Sequence, residues 1–457
     1  MVSRPVPIDA LRIPVYRASL SHYAESTMRY FLLAPVLLSL ALPSSSCLRA
    51  QDFQTLPTLV GHITRLDARR DLDVNGTKIV FSATTRAGTE KGNIRSPADY
   101  SPTLGQIAHV FGKLNRKHHT LAATEVWLIP TVSGDGVTVS GTAIVDLVLP
   151  SSPTAKPGTL SFRADGYRIS VTPNTTFTST LPDPTISGVH SNSWVAYHGI
   201  RKPDGSVIAD SITVGPNLIN HREDKLLDKT DYEPGEVDTN AKQGEFSKFV
   251  KGMDPKQIPP YKDPVMQARI DRIGASLVPA YQRALPASDL TKIVFRFQLV
   301  DKGWTDAITL PSGVILVPYR VVERLQNDSQ VATVLADNIA CALEKQTFLA
   351  APTYQALSAT NVAATVGGLF IPGLGLASAV ATGTTASAMQ RHALEQSGRV
   401  SLTLLSDAGY DIREAPRTWW LLKSMKTKEL ADIPLPRRAT YLYDMLATTW
   451  SAPITTP

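Results

Sequence analysis

The sequence predicts a multidomain protein, with an N-terminal all-β barrel or sandwich followed by a C-terminal α+β domain that is mainly helical. In the first half, turn dipeptides such as Asn75-Gly76 separate runs of alternating apolar and polar residues, as in β-hairpins. A charged stretch with Pro-Gly and Pro-Pro breaks then indicates a linker. From Asp263 onward, apolar residues recur at helical spacing. We therefore predict a leader, a barrel-like domain, a linker and a C-terminal domain over residues 1–50, 51–215, 216–262 and 263–457.

The first 50 residues have the features of a leader with a signal peptide. Arg29 precedes the apolar run FLLAPVLLSLAL, and a polar stretch of small residues then leads to Ala50. This run is shorter than the roughly 20 residues that a membrane-spanning helix needs. We therefore expect export, to the periplasm or the extracellular space. Cys47 leaves a lipid anchor open as an alternative.

Composition and charge narrow the function classes. The chain of 457 residues is 43% hydrophobic and 19% charged, which is typical of a globular protein. Its net charge of +6 includes five arginines and two acids in the leader, so +3 remains afterwards. This charge is too small to indicate a nucleic-acid partner. Cleavage after Ala50 would leave Cys341 as the one cysteine, so the exported chain would form no internal disulfide.

The predicted β-region contains three hairpins. The segments LDVNGTKIVF and LSFRADGYRISV place Asn75-Gly76 and Asp165-Gly166 between strand-like runs, and these two segments resemble each other. A third hairpin surrounds Asp204-Gly205. Several short strands at this spacing predict a small barrel or sandwich.

The pieces Gly61-His62-Ile63, Asn75-Gly76 and WVAYHGIRKPDGSVIADSI resemble the small OB-like β-barrel domains of secreted bacterial proteins. Residues 86–157 would then be an insertion or a second unit. OB-like barrels bind oligonucleotides or sugars, so a glycan- or nucleic-acid-binding module is one alternative function. Because the sequence shows no aromatic stacking platform, we expect a structural or docking role and no nucleic acid.

The C-terminal domain is predicted element by element. Asp263 with Pro264 begins a helix as N-cap and first helical residue. A strand follows over residues 292–301, and DAITLPSGVILV then forms two short strands around a Pro-Ser-Gly turn. A helix begins with PYRVVERLQ, and Asp328 or Ser329 caps the next helix, which contains TVLADNIACALEKQ. This order is an α+β arrangement.

From Asp263 to about Leu422 the chain resembles the catalytic domain of the M48 family of zinc metallopeptidases. LADNIACALEKQ stands where that family has LAHEIAHxLxxQ, and ALEQSGRVSLTLLSDAGYDIREA stands where it has a helix with a glutamate followed by AGYDP. The resemblance implies a zincin-like fold for about a third of the chain.

The residues that carry the chemistry of this family are changed. In the family motif two histidines four residues apart bind zinc and the glutamate beside the first activates water. The resemblance assigns Asp337 and Cys341 to the histidine positions, Asn338 to the general-base position and Glu395 to the third ligand. An amide cannot accept a proton near neutral pH. We therefore expect no catalytic residue and no cofactor, and a pseudoenzyme with a binding or scaffolding role in the cell envelope.

Two further interpretations of these residues stay open at this stage. Asp337, Cys341 and Glu395 would hold zinc in an active M48-type metalloendopeptidase with unusual ligands, and His392 would be an extra ligand one turn before Glu395. Alternatively, Asp337 and Arg399 would form an ion pair in place of the metal.

The partner expected for a pseudoenzyme is a polypeptide or an envelope protein in the former substrate groove. In the M48 family the strand near DAITLPSGVILV lines that groove, so an exposed edge there would add a peptide strand. Residues 360–390 are rich in glycine and alanine and predict a helical hairpin that packs on the domain, with peripheral membrane contact as an alternative.

Overall fold

The computed structural model describes residues 56–89, 100–130, 136–150, 158–231, 258–346, 384–425 and 430–450. The predicted signal peptide, Cys47, residues 232–257 of the predicted linker, and residues 360–383 lie outside these stretches. All described residues belong to one compact unit, Leu56–Pro457. Among the helices in these stretches, none combines the length and the apolar character that crossing a membrane requires.

Residues 59–128 form a small six-stranded barrel, called barrel 1. Its sheet order is β3-β2-β1-β5-β6-β4, and β3 also pairs with β6, which closes the barrel. Alternation along the strands turns Ile63, Val110 and Val126 into a buried core. The strands are β1 (Leu59–Ala68), β2 (Asp71–Val74), β3 (Thr77–Val80), β4 (Arg86–Thr89), β5 (Ile107–Asn115) and β6 (Thr120–Leu128).

Residues 137–216 form a second barrel, barrel 2, with the same topology. Its order, β9-β8-β7-β11-β12-β10 with β9 paired to β12, repeats that of barrel 1 strand for strand. Residues 86–157 therefore form neither an insertion nor a unit of their own, because residues 86–128 complete barrel 1 and residues 137–148 begin barrel 2. The hairpin around Asp204-Gly205 belongs to barrel 2. The strands are β7 (Val137–Val148), β8 (Leu160–Ala164), β9 (Tyr167–Val171), β10 (Thr176–Ser179), β11 (Ser193–Arg201) and β12 (Val207–Pro216).

The two barrels share local details as well as topology. The hairpins predicted at Asn75-Gly76 and Asp165-Gly166 are confirmed, with φ of 45° at Asn75 and 55° at Asp165, the left-handed values that a two-residue turn requires. Thr85 donates to the carbonyl of Ala123 at 2.7 Å, and Thr175 donates to that of Ala209, also at 2.7 Å. These matched hydrogen bonds make barrel 2 a structural repeat of barrel 1.

The remaining described residues are mainly helical, with a three-stranded sheet of order β13-β15-β14. Asp263 caps the first long helix by accepting from Val265 and Met266, as predicted. The predicted caps Asp328 and Ser329 are wrong, because Asn327 accepts from Gln330 instead. The elements are α2 (Pro264–Leu277), α3 (Ala280–Ala284), β13 (Arg296–Val300), β14 (Ile308–Thr309), β15 (Val314–Pro318), α4 (Tyr319–Arg324), α5 (Asp328–Leu343), α6 (Thr384–Asp407), α7 (Glu414–Lys423) and α8 (Arg437–Thr448).

The segment predicted as a linker contributes ordered structure at both of its described ends. Helix α1 (His221–Thr230) contacts the helical part through the ion pair between Glu223 and Lys345. Further on, Pro260 pairs with Val300 as an antiparallel bridge at the edge of β13. Both described ends of this segment thus make specific contacts with the helical part.

Barrel 2 and the helical part share one hydrophobic cluster, whereas barrel 1 has its own. Val195 of barrel 2 and Leu335 of α5 both belong to the shared cluster. Barrel 1 instead contacts α8, where His62 stacks on Tyr443 with ring centroids 6.1 Å apart. The shared core fixes barrel 2 against the helices that carry the candidate site.

Candidate functional site

Asp337 lies on α5 and is fully buried in the helical part. Its Oδ1 accepts a hydrogen bond from Ser397 of α6 at 2.9 Å, and its Oδ2 forms an ion pair with Arg438 of α8. Three helices therefore meet at this carboxylate. Because both oxygens already have strong donors, the carboxylate is satisfied within the protein.

Arg438 supplies the positive charge of this centre. Besides Asp337 it bonds Asp306, in the loop before β14, with 3.0 Å between nitrogen and oxygen. The centre of the guanidinium lies 3.5 Å from the ring centroid of Trp419, a cation–π contact. We call Asp306, Asp337, Ser397, Trp419 and Arg438 the Arg438 centre.

Asn338, which the resemblance assigns to the general-base position, is also buried, and both the oxygen and the nitrogen of its amide form hydrogen bonds. Its Oδ1 accepts from the hydroxyl of Thr309 in β14 at 2.6 Å, and its Nδ2 donates to the carbonyl of Val334 at 2.8 Å. Thr309 is itself fully buried. The amide therefore links α5 to the edge strand of the sheet, and β14 is covered along its two residues.

Cys341 is fully buried one helical turn after Asp337. Burial raises the pKa of its thiol well above the usual range, although a hydrogen bond with Ser397 opposes this effect. The thiolate that binds zinc is therefore disfavoured here. Cys341 also lines a cavity of about 60 Å³ that is enclosed by α1, the end of α5, and residues 290–293 and 311–312.

The predicted ligands do not converge into a zinc site. His392 is exposed and Glu395 half-buried on α6, while Ser397, two residues further on, is the α6 side chain that contacts Asp337. Within the described stretches, no three residues of the His, Cys, Asp and Glu types are grouped so that they could hold a metal ion. Zinc would have to displace a guanidinium from Asp337, so these side chains do not fit the metal.

The predicted ion pair between Asp337 and Arg399 is wrong. Arg399 points from α6 to barrel 2, where it pairs with Asp165 at 2.5 Å. Its other end bonds the hydroxyl of Tyr441 at 2.7 Å, and Tyr197 donates to Asp165 at 2.6 Å. Asp337 pairs with Arg438 and Arg399 pairs with Asp165, so α6 contributes Ser397 to one cluster and Arg399 to another.

The contact between α6 and barrel 2 extends to Glu344. In barrel 1 the backbone N–H of His62 donates to the side chain of Asn75, in its own hairpin, at 3.0 Å. At the matching position of barrel 2 the N–H of Ile144 donates to Glu344 at 3.2 Å. Asp165, which matches Asn75, is thereby left to bind Arg399. Burial raises the pKa of Glu344 well above its usual range.

Sequence reasoning missed Ser397, Arg438 and Asp306. Arg438 is the second residue of the last helix, two residues after Pro436, a position typical of a solvated helix start. The one sequence signal for a buried role is its place beside the apolar residues of ATYLYDML, but no spacing links it to α5. Asp337 and Arg438 are 101 residues apart.

We expect the Arg438 centre to make stability depend on pH. Burial raises the pKa of Asp306 to about 7, and Arg438 only partly offsets this. Since the unfolded pKa is near 3.8, the folded state holds the extra proton between these values, and stability falls as pH rises through this window. The free energy of unfolding falls by about 1.4 kcal/mol for each unit by which the folded pKa exceeds the unfolded pKa.

Urea unfolding at pH 5 and pH 8 measures this loss, and Asp306→Asn should reduce it. The comparison with the variant is needed because burial also raises the pKa of Asp146 to about 6, so Asp146 contributes in the same direction. An unchanged difference between the two pH values in Asp306→Asn would contradict the assignment.

Comparison with known proteins identifies one part of the chain. Residues 60–126 match the domain family described as a domain of unknown function, DUF5666. The match begins in β1 and ends in β6, so it covers barrel 1 nearly strand for strand. None of the curated proteins compared with the chain matches it.

Proposed function

We propose that this chain is an exported, non-catalytic relative of the M48 peptidases that has a binding or scaffolding role in the cell envelope. The observation that carries this proposal is the ion pair between Arg438 and Asp337. This ion pair places the guanidinium of Arg438 against the carboxylate of Asp337, which the resemblance assigns to a metal-ligand position. Asn338, which the resemblance assigns to the general-base position, accepts a hydrogen bond from Thr309 through its amide oxygen. An amide cannot accept a proton from water near neutral pH.

The order of elements supports the likeness to the M48 family. Helix α2 leads into β13, a hairpin of β14 and β15 follows, and α5 carries the altered motif before α6 and α7. The resemblance in sequence places the same elements in that order. A zincin-like fold for the helical part rests on this order together with the matched letters around Leu335 and Ala408.

A binding role follows from how the parts are joined. Barrel 2 is joined to the helical part by a shared core and by the ion pair between Asp165 and Arg399, and barrel 1 contacts α8, an arrangement that suits a rigid platform. The apolar run and the cleavage pattern of the leader support export to the periplasm or the extracellular space. The partner we propose is a polypeptide of the envelope.

Metal analysis together with a cleavage assay tests this function. We expect purified full-length protein to carry well under one zinc per chain, and to leave casein intact with or without added zinc. Cys341→Ser serves as the matched control, because a bound ion held by the thiol would be lost in it. Stoichiometric zinc with casein cleavage that a chelator abolishes would overturn the proposal in favour of an active metalloendopeptidase.

A further inference from the structure

Helix α1 lies in a groove of the helical part. On the face turned to the groove, Glu223 is buried and pairs with Lys345 at 2.9 Å, and Leu227 lines the cavity that Cys341 also lines. At the end of the helix, the hydroxyl of Thr230 accepts from the backbone N–H of Ser312 at 3.2 Å. These three residues stand at positions i, i+4 and i+7, which share one helical face. We call this seat the α1 groove.

The contacts that keep α1 in the groove are mainly polar. The helix has ten residues, and its two leucines, Leu226 and Leu227, are only half-buried. Apolar burial contributes about 25 cal/mol per Å², so partly buried leucines contribute little. Isolated helices of this length are marginal in water. Segments held by few apolar contacts open locally at much lower free energy than a core helix such as α5, in which every residue from 330 to 343 is buried.

The groove would remain a shaped site after α1 leaves. Lys345 would lose Glu223 and keep its hydrogen bond to the carbonyl of Leu218, and the backbone and hydroxyl of Ser312 would lose Thr230. One cation without its counter-charge and one polar pair would then face the solvent. Apolar surface is already exposed beside them, since Leu218 is 70% exposed and Leu290, which lines the cavity, is 78% exposed. An opened groove therefore combines an apolar floor with a positive charge at one end and hydrogen-bonding groups at the other.

We propose that the α1 groove is a binding site for a helical segment of a partner polypeptide, and that α1 occupies this site in cis until the partner displaces it. The partner helix carries a carboxylate for Lys345, a leucine-sized side chain four residues later for the cavity, and a hydroxyl three residues further on for Ser312. This is helix-in-groove recognition, in which anchors at i, i+4 and i+7 set specificity. The inference rests on the proposed binding function and names the surface and the partner class.

Displacement of α1 has a measurable consequence. A groove that α1 occupies most of the time binds any competitor with an affinity reduced by the fraction of time that it is open. A variant that expels α1 should bind the same competitor more tightly. Leu227→Asp places a charge against the cavity and should expel the helix, whereas Lys225→Glu changes an exposed residue of α1 and should leave it seated.

The probe is a fluorescein-labelled peptide of residues 219–231, INHREDKLLDKTD, whose binding to full-length protein is followed by fluorescence anisotropy. We expect the peptide to bind the Leu227→Asp protein about tenfold or more tightly than the wild type or Lys225→Glu. A peptide carrying Glu223→Lys should lose this gain. Equal affinity of the labelled peptide for all three proteins would overturn the inference.

Hydrogen exchange of the wild-type protein provides the second measurement, should Leu227→Asp fail to fold. We expect the amides of α1 to exchange much faster than those of α5 through local opening. Exchange of both helices at the same slow rate would also overturn the inference. Zinc-dependent cleavage would defeat the proposed function without changing the peptide result, so failures of the two proposals are distinguishable.

Discussion

Replacing Arg438 by methionine is expected to lower the free energy of unfolding by about 3–5 kcal/mol. The substitution leaves Asp306 and Asp337 buried without the guanidinium that neutralises them, and Trp419 without its cation–π partner. Methionine fills much of the volume of the arginine stem, so the loss reports charge more than packing. Urea unfolding followed by circular dichroism at pH 8, above the pKa of about 7 of Asp306, measures the change.

The neighbouring residue offers a matched control. Arg437 is exposed at the start of α8, so Arg437→Met should change stability by no more than about 0.5 kcal/mol. Adding Asp306→Asn and Asp337→Asn to Arg438→Met should restore part of the loss, because the uncompensated charges are then removed. Equal stability of the Arg437→Met and Arg438→Met proteins would show that Arg438 does not neutralise the centre.

Features set by short stretches of chain could be predicted from the sequence. Asn75-Gly76 and Asp165-Gly166 form their hairpins because two adjacent residues must both adopt positive φ, a requirement that short polar residues and glycine meet locally. The Asp263 cap succeeds for the same reason, since its carboxylate bonds amides two and three residues away. In these cases cause and consequence lie within a few residues.

The partners of buried charges could not be predicted in this way. Asp337 and Arg399 carry opposite charges on packed helices, so their pairing is one of the interpretations that the sequence leaves open. A residue's position along α6 determines where its side chain points: Ser397 faces α5, while Arg399 faces barrel 2. Choosing between these faces requires knowing what packs on each side of α6. The sequence does not predict that barrel 2 packs against this helix.

Barrel 2 shows how a repeated fold acquires a new contact. The internal similarity was visible in NGTKIVFSATT and DGYRISVTPNTT, but the sequences do not indicate that the two hairpins have different partners. Asn75 satisfies an amide of its own barrel, whereas Asp165 carries a charge that its barrel does not neutralise. The change from amide to carboxylate at this turn thus coincides with docking onto the helical part.

Replacing Arg399 by methionine should therefore loosen barrel 2 from the helical part, at a cost of about 3–5 kcal/mol. Asp165 is buried and Arg399 is mostly buried, so the carboxylate would lose its counter-charge. Tyr441 would lose the donor of its hydrogen bond, whereas Tyr197 would still donate to Asp165. We expect a broader urea transition, in which the protection of barrel 2 amides from hydrogen exchange falls before that of α5, because the shared core is then left to couple the two regions without the ion pair.

Arg168→Met is the control within the same barrel, since Arg168 pairs with Asp204 and both side chains are more than half exposed. This exposed pair should contribute no more than about 1 kcal/mol. Asp165→Asn combined with Arg399→Met should cost less than Arg399→Met alone, because the carboxylate that needs neutralising is then absent. If Arg399→Met instead leaves the barrel 2 amides as protected as Arg168→Met does, the shared hydrophobic core holds barrel 2 in place without the ion pair.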